Sequence, residues 1–206
     1  MPADPRAELV AAAGLLYGRG WMAGTAGNLS ARLGDGSFWI TASGVPKGRL
    51  GEEDFLRVAP GGEVLERGRP HGRPSDETAI HAALYALFPA ARACLHVHTV
   101  ESNLVARLAA GGAVELPPLE MLKGLGVGEE EPRVPLAVFP NHLESARIAG
   151  DVRERFEREP PAVPGLLVRD HGVTAWGADV QRALDHLELL DYLFRYAVAA
   201  RRAGIE

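Results

Sequence analysis

Apolar positions recur along this chain with two different periods, and the switches between them outline its elements. Residues 6–18 return apolar side chains at helical spacing and stop near Gly18 and Gly20, which predicts a helix. TAGNLSARL and GSFWITAS then alternate around Gly34-Asp35-Gly36, which predicts a hairpin, and FLRVAPGGEVLERG predicts a second one turning at Pro60-Gly61-Gly62. RPSDETAIHAALYALFPA reads as a helix with Ser75 as N-cap, Asp76 and Glu77 at its positive end and Pro89 closing it. ACLHVHTV is a continuous apolar run and predicts a buried strand. NHLESARIAGDVRERFE reads as a helix with Asn141 and Glu144 at capping-box spacing. GLLVRDHGVTAWG predicts strand, turn at Asp170-His171-Gly172, and strand. A long amphipathic helix follows, apolar at 180, 183, 184, 187, 190, 194 and 197. Strands and helices mix without a strict βαβ rhythm and without internal repeats. The expected fold class is a single α/β domain over 1–206, with a sheet covered by helices.

Composition narrows the function classes. The chain has 206 residues, 47% of them hydrophobic, enough to fill one sizeable core. Its formal net charge is -5 and no Lys/Arg block stands out, so a nucleic-acid partner is not expected. The single cysteine, Cys94, excludes a disulfide framework and fits a reducing compartment. No basic stretch precedes the first apolar run, so that run does not read as a signal peptide. No apolar run reaches the roughly 18–20 residues that span a bilayer. A soluble cytoplasmic protein with no membrane partner is the expectation.

The candidate chemistry starts at His96 and His98. In a strand the side-chain period is two, so these imidazoles share one face with Cys94 while Leu95 and Val97 take the other. Two imidazoles so placed can reach one metal ion, or can be surface histidines on a half-exposed strand. His171, in an Asp-His-Gly turn between two apolar strands, supplies a third candidate ligand. Taken alone it reads as a turn histidine bonded to backbone. Three histidines that leave a fourth position open form the architecture of a catalytic zinc site. His81 lies four residues after Glu77 on one helical face, either orienting that carboxylate or packed. His71 and His142 read as solvated, His186 as structural and Cys94 as core.

The stretches GTAGNLSAR, ITASGVPKG, RPSDETAIH, LHVHT and RDHGVTAWG, in this order, resemble the class II aldolase/adducin family over about residues 8–200. Within it, LEMLKG and LLVRDHGVTAWG are most similar to the branch that removes water from 5-methylthioribulose 1-phosphate in methionine salvage. The resemblance implies a central, mainly antiparallel sheet flanked by helices and a homotetramer with active sites near subunit interfaces. It implies one zinc ion per subunit, held by His96, His98 and His171. Glu77 matches the family's acidic residue beside the metal, an acid/base in the aldolases, although a cysteine stands there in one type of dehydratase. Glu120, in EMLKG, matches the dehydratases' proposed acid/base. Read from the residues alone, it is a solvated loop glutamate after Pro117-Pro118.

Gly27, Asn28, Ser43, Gly44 and Ser75 fall in turns or at a helix start, where free N–H groups and hydroxyls suit a phosphate, and Lys47 adds charge. Each alone is ordinary turn chemistry. The family pattern joins them as a set, with Asp76 standing where a second serine is common. The alternatives are a sugar-phosphate aldolase or epimerase on the same scaffold, or an adducin-like binding module without chemistry. Trp21, Met22, Leu116 and Met121 line a pocket for the methylthio group or belong to the core.

Overall fold

The computed structural model describes residues 4–130 and 132–205. The first hairpin forms as the alternation predicts, from β1 (Asn28–Arg32) and β2 (Phe38–Thr41). The second is β3 (Phe55–Val58) with β4 (Val64–Arg67). The remaining strands are β5 (Ala93–Val97), β6 (Ala113–Glu115), β7 (Pro135–Phe139), β8 (Gly165–Val168) and β9 (Gly172–Gly177). They join in one sheet, ordered β4-β3-β2-β1-β5-β9-β8-β7-β6. All neighbours pair antiparallel except β7 and β8, so the sheet is mixed but mainly antiparallel. That one parallel pair is joined through a helix, α4 (Ser145–Arg158), as parallel neighbours require.

Helices cover both faces. On one side, α1 (Arg6–Gly18) and α5 (Val180–Arg202) bury Leu9, Leu16, Leu184, Leu187 and Leu190 against Leu29, Leu95 and Ala175 of the central strands. On the other, α2 (Thr78–Leu87) and α4 bury Ile80, Leu84, Ile148 and Val152 against Ile40, Cys94 and Trp176. Buried on both faces, β5 needs apolar residues at nearly every position, hence the unbroken run of the sequence.

Two predicted caps differ. α2 begins at Thr78 with Glu77 in the cap position, so Ser75 is not its N-cap. The Ser75 carbonyl instead accepts from the Thr78 amide at 3.1 Å and the Thr78 hydroxyl at 2.6 Å, closing a turn before the helix. α4 begins at Ser145 with Glu144 in the cap position and no side-chain cap, so Asn141 is not its N-cap; nearby, His142 pairs with Asp151 and Ser145 donates to the Asp76 carbonyl. The pattern also omitted α3 (Val100–Ala106), β6 and β7. α3 is seven residues long and rests on its Thr99 cap, whose hydroxyl oxygen accepts from the Ser102 amide at 3.0 Å.

Candidate metal and substrate site

The strand register builds the centre of the site. Asn28 of β1 pairs with His96 of β5, and His96 pairs with Thr174 of β9, so three polar side chains sit in a row across adjacent strands. His98 follows β5 directly, its amide bonded to the Trp21 carbonyl at 3.0 Å. His171 enters from the turn between β8 and β9. Asp170 supplies the left-handed residue of that turn (φ 55), a conformation Asp tolerates better than most. Gly172 lets the turn close on β5, since a Cβ there would collide with the Val97 carbonyl and lie 3.1 Å from both His96 and His98.

Four donor groups converge. Ligand atoms of Glu77, His96, His98 and His171 all lie within 4.8 Å of one another. His96 Nε2 is 2.9 Å from His98 Nε2 and 3.3 Å from Glu77 Oε2, and His171 Nε2 is 2.7 Å from Glu77 Oε1. Burial pushes His96 down to about 3 and lowers His98 as well, so both are neutral at pH 7. Burial opposes ionisation of Glu77, yet His96, His171 and Asn28 hold its carboxyl far below the usual range. His96 Nδ1 lies 2.9 Å from Thr174 Oγ1. A proton donated there leaves a lone pair on Nε2, facing the cluster. Three imidazole nitrogens and a carboxylate oxygen thus crowd one point, the types and number of donors that a single cation gathers. The donor set therefore fits a divalent metal.

Beside the cluster lies a cavity of about 250 Å³. It gathers Gly27, Asn28, Ser43, Gly44, Lys47 and Ser75, all six residues expected at the phosphate, together with Glu77 and His98. Three loops meet to form it. The Ser43 amide bonds to the Arg73 carbonyl at 2.8 Å and the Ser75 amide to the Thr41 carbonyl at 3.1 Å. Lys47 is buried, and its ammonium donates to the Thr25 and Val45 carbonyls at 2.8 and 3.0 Å. A lysine ammonium has three N–H donors, so one remains. Burial pushes its pKa down, and Glu77 and Asp54 oppose that. Gly27 needs its glycine: φ is 82, and a Cβ would meet Met22 Cε at 2.7 Å and the His96 carbonyl at 2.8 Å.

Other expected residues stand apart. Glu120 lies on a short 3-10 segment, Glu120–Leu125, its side chain 85% exposed and 3.2 Å from Lys123. It is not among the groups that converge with the histidines. Met22 and Leu116 are core, Trp21 is half-buried and Met121 is exposed. His142 pairs with Asp151 at 2.9 Å, His186 Nδ1 with the Trp176 carbonyl at 2.7 Å, His71 is exposed and Cys94 is buried. Sequence reasoning missed Thr174, whose role depends on strand register. It also missed that His81 reaches Glu77 through Asn28, which bonds to both.

Known proteins share this arrangement of elements. The family described as Class II Aldolase and Adducin N-terminal domain matches residues 7–198. A methylthioribulose-1-phosphate dehydratase of Microcystis aeruginosa is 54% identical over 96% of this chain and 96% of its own length. One from Methylococcus capsulatus is 43% identical over 91% of this chain and 90% of its own. Among solved structures, L-fuculose-1-phosphate aldolase from Thermus thermophilus superposes with a TM-score of 0.75 at 25% identity, covering 97% of this chain and 98% of that one.

Proposed function

The chain belongs to the class II aldolase and adducin family, and we propose that it converts 5-methylthioribulose 1-phosphate to 2,3-diketo-5-methylthiopentyl 1-phosphate by loss of water. The observation that carries this reading is the cavity itself. Phosphate-suited turn groups and one buried lysine adjoin a three-histidine, one-glutamate cluster, in a chain that matches dehydratases along nearly its whole length. His96, His98 and His171 would hold one zinc ion per subunit. When bound, zinc supplies Lewis-acid polarisation of the ketone, which acidifies the neighbouring C3–H.

The remaining steps belong to side chains. Lys47, the Ser43 and Ser75 hydroxyls and the Gly27 and Gly44 amides bind the phosphate and fix the sugar in the cavity, since the Ser43 and Ser75 amides are already taken by the Arg73 and Thr41 carbonyls. A carboxylate takes the C3 proton. A carboxylic acid then protonates the C4 hydroxyl, the C4–O bond breaks and water leaves. Tautomerisation of the resulting enol gives the diketone, so one water is lost and nothing is oxidised. Glu120 is the proton-transfer group in this reading, and Glu77 orients the substrate or shares the proton work. Since Glu120 is exposed and outside its own chain's cluster, its role goes with a homotetramer in which this segment meets the site of a neighbouring subunit. The apolar groove beside it, of about 920 Å³ and lined by Leu116, Pro117, Pro118, Tyr196 and Ile205, supports such a contact. No helix among the described residues is long and apolar enough to cross a membrane. The one cysteine is buried and free, as in a reducing compartment such as the cytoplasm.

A panel of phosphorylated sugars followed by mass spectrometry tests the reading. Loss of one water from 5-methylthioribulose 1-phosphate is the expected result. Two carbon fragments would establish an aldolase instead. No turnover together with no stoichiometric metal would establish a binding module.

A further inference from the structure

Behind Glu77 runs a line of buried hydrogen bonds that the reaction scheme does not use. Asn28 Nδ2 donates to Glu77 Oε2 at 3.0 Å. Asn28 Oδ1 is 2.6 Å from His81 Nε2, His81 Nδ1 is 2.6 Å from Ser30 Oγ, and Ser30 Oγ is 2.7 Å from the Tyr85 hydroxyl. Asn28, Ser30, His81 and Tyr85 are all buried.

The line exists because two periods match. Glu77, His81 and Tyr85 follow one another every four residues at the start of α2 and along it, a rise of about 6 Å per step. Asn28 and Ser30 follow every two residues along β1, a rise of about 6.8 Å. The helix stripe and the strand stripe therefore stay level, and each strand residue lies between two helix residues.

Chemistry then orders the protons. A carboxylate offers only acceptors, so the amide nitrogen of Asn28 faces it and the amide oxygen faces His81. His81 must meet that oxygen with Nε2–H, which leaves Nδ1 as acceptor. Ser30 donates to Nδ1 and accepts from Tyr85. We infer that His81, Ser30 and Tyr85 are positioning residues, which through Asn28 lock the Glu77 carboxylate in its orientation toward the histidine cluster. Burial keeps His81 neutral, pushed down to about 4, as this order of protons requires.

The inference rests on the dehydratase reading only for its assay, and one measurement is independent of turnover. In the zinc-loaded enzyme with 15N-labelled histidine, the His81 ring, assigned by its disappearance in His81→Gln, is expected as the neutral Nε2–H tautomer at pH 7. A proton on Nδ1, or on both nitrogens, overturns the chain. Failure of turnover with the expected tautomer would overturn the dehydratase reading alone.

In the assay, His81→Leu is expected to lower kcat about 10–100-fold while KM and bound zinc stay as in the wild type. His81→Gln, whose amide can still donate to Asn28, is expected to recover most of that rate. Equal rates for the two variants, or a loss that follows lost zinc, overturn the inference. If His81→Leu does not fold, Tyr85→Phe decides: its His81 Nδ1 resonance is expected to move, and an unmoved resonance overturns the chain.

Discussion

Thr174 Oγ1 and His96 Nδ1 lie 2.9 Å apart, although 78 residues separate them in the chain. The bond spans the β5–β9 pairing and points the other ring nitrogen of His96 at the cluster. Thr174→Val keeps the shape and removes the acceptor. Zinc affinity is expected to fall about 10–100-fold, measured by chelator competition, with little change in the fold. His96→Ala is expected to strip metal and activity together, and full metal content in that variant would remove His96 from the ligand set.

Lys47 is buried with two of its three N–H donors already on carbonyls. Lys47→Met keeps the stem and removes the charge. A hydrogen bond to a charged group contributes about 1.5–3 kcal/mol, so KM for the phosphorylated sugar is expected to rise about 10–100-fold. Zinc content should not move, and an unchanged kcat/KM would place the phosphate elsewhere.

The two glutamates separate dehydratase from aldolase chemistry. Glu120→Gln is expected to keep its zinc and lose at least about 100-fold in kcat, with KM little changed. Glu77→Gln disturbs the histidine cluster as well, because both carboxylate oxygens contact it. Normal turnover by Glu120→Gln beside a dead Glu77→Gln would assign the proton work to Glu77 and favour the aldolase reading.

Gly172 allows the His171 turn to approach β5. Its replacement by Ala sets a Cβ against the Val97 carbonyl, a backbone atom that cannot swing away. Gly172→Ala is expected to cost about 1–3 kcal/mol or more of stability and to lower bound zinc, because His96 and His98 are the next atoms met. Thermal unfolding alongside metal analysis checks both effects.

His81 gives the fold an acid limit. Its pKa is lowered by burial from 6.5 to about 4. Above pH 6.5 neither the folded nor the unfolded form holds this proton. Between 6.5 and 4 the unfolded chain takes it and the folded chain does not, so stability is lost as pH falls through that window. At 1.36 kcal/mol per pH unit the loss approaches about 3 kcal/mol. The stability difference between wild type and His81→Gln, from denaturant unfolding at pH 7.5 and pH 4, should shift by that amount in favour of the variant. A difference that stays constant would mean that His81 titrates normally.

Much of this protein was legible in its sequence, because the signals are local. Helical and strand periods placed α1, α2, α4, α5 and both hairpins, since each element must turn one apolar stripe toward the core. The spacing of His96 and His98 placed two imidazoles on one face, and the turn residues Gly27, Ser43, Gly44 and Ser75 stood out as a set, which the fold gathers around one cavity while tying the Ser43 and Ser75 amides to carbonyls. Tertiary structure alone decided what those groups meet. Asn28, His96 and Thr174 form a row only because β1, β5 and β9 pair in that register, and pairing between strands far apart in the chain leaves no periodic trace. His81 reaches Glu77 through Asn28 only because helix and strand repeats stay level across the interface between α2 and β1. Glu120 shows the converse. Its motif was readable, but the fold carries it to the surface of its own chain, since the position of a side chain is set by the packing of its whole element and not by its neighbours in sequence.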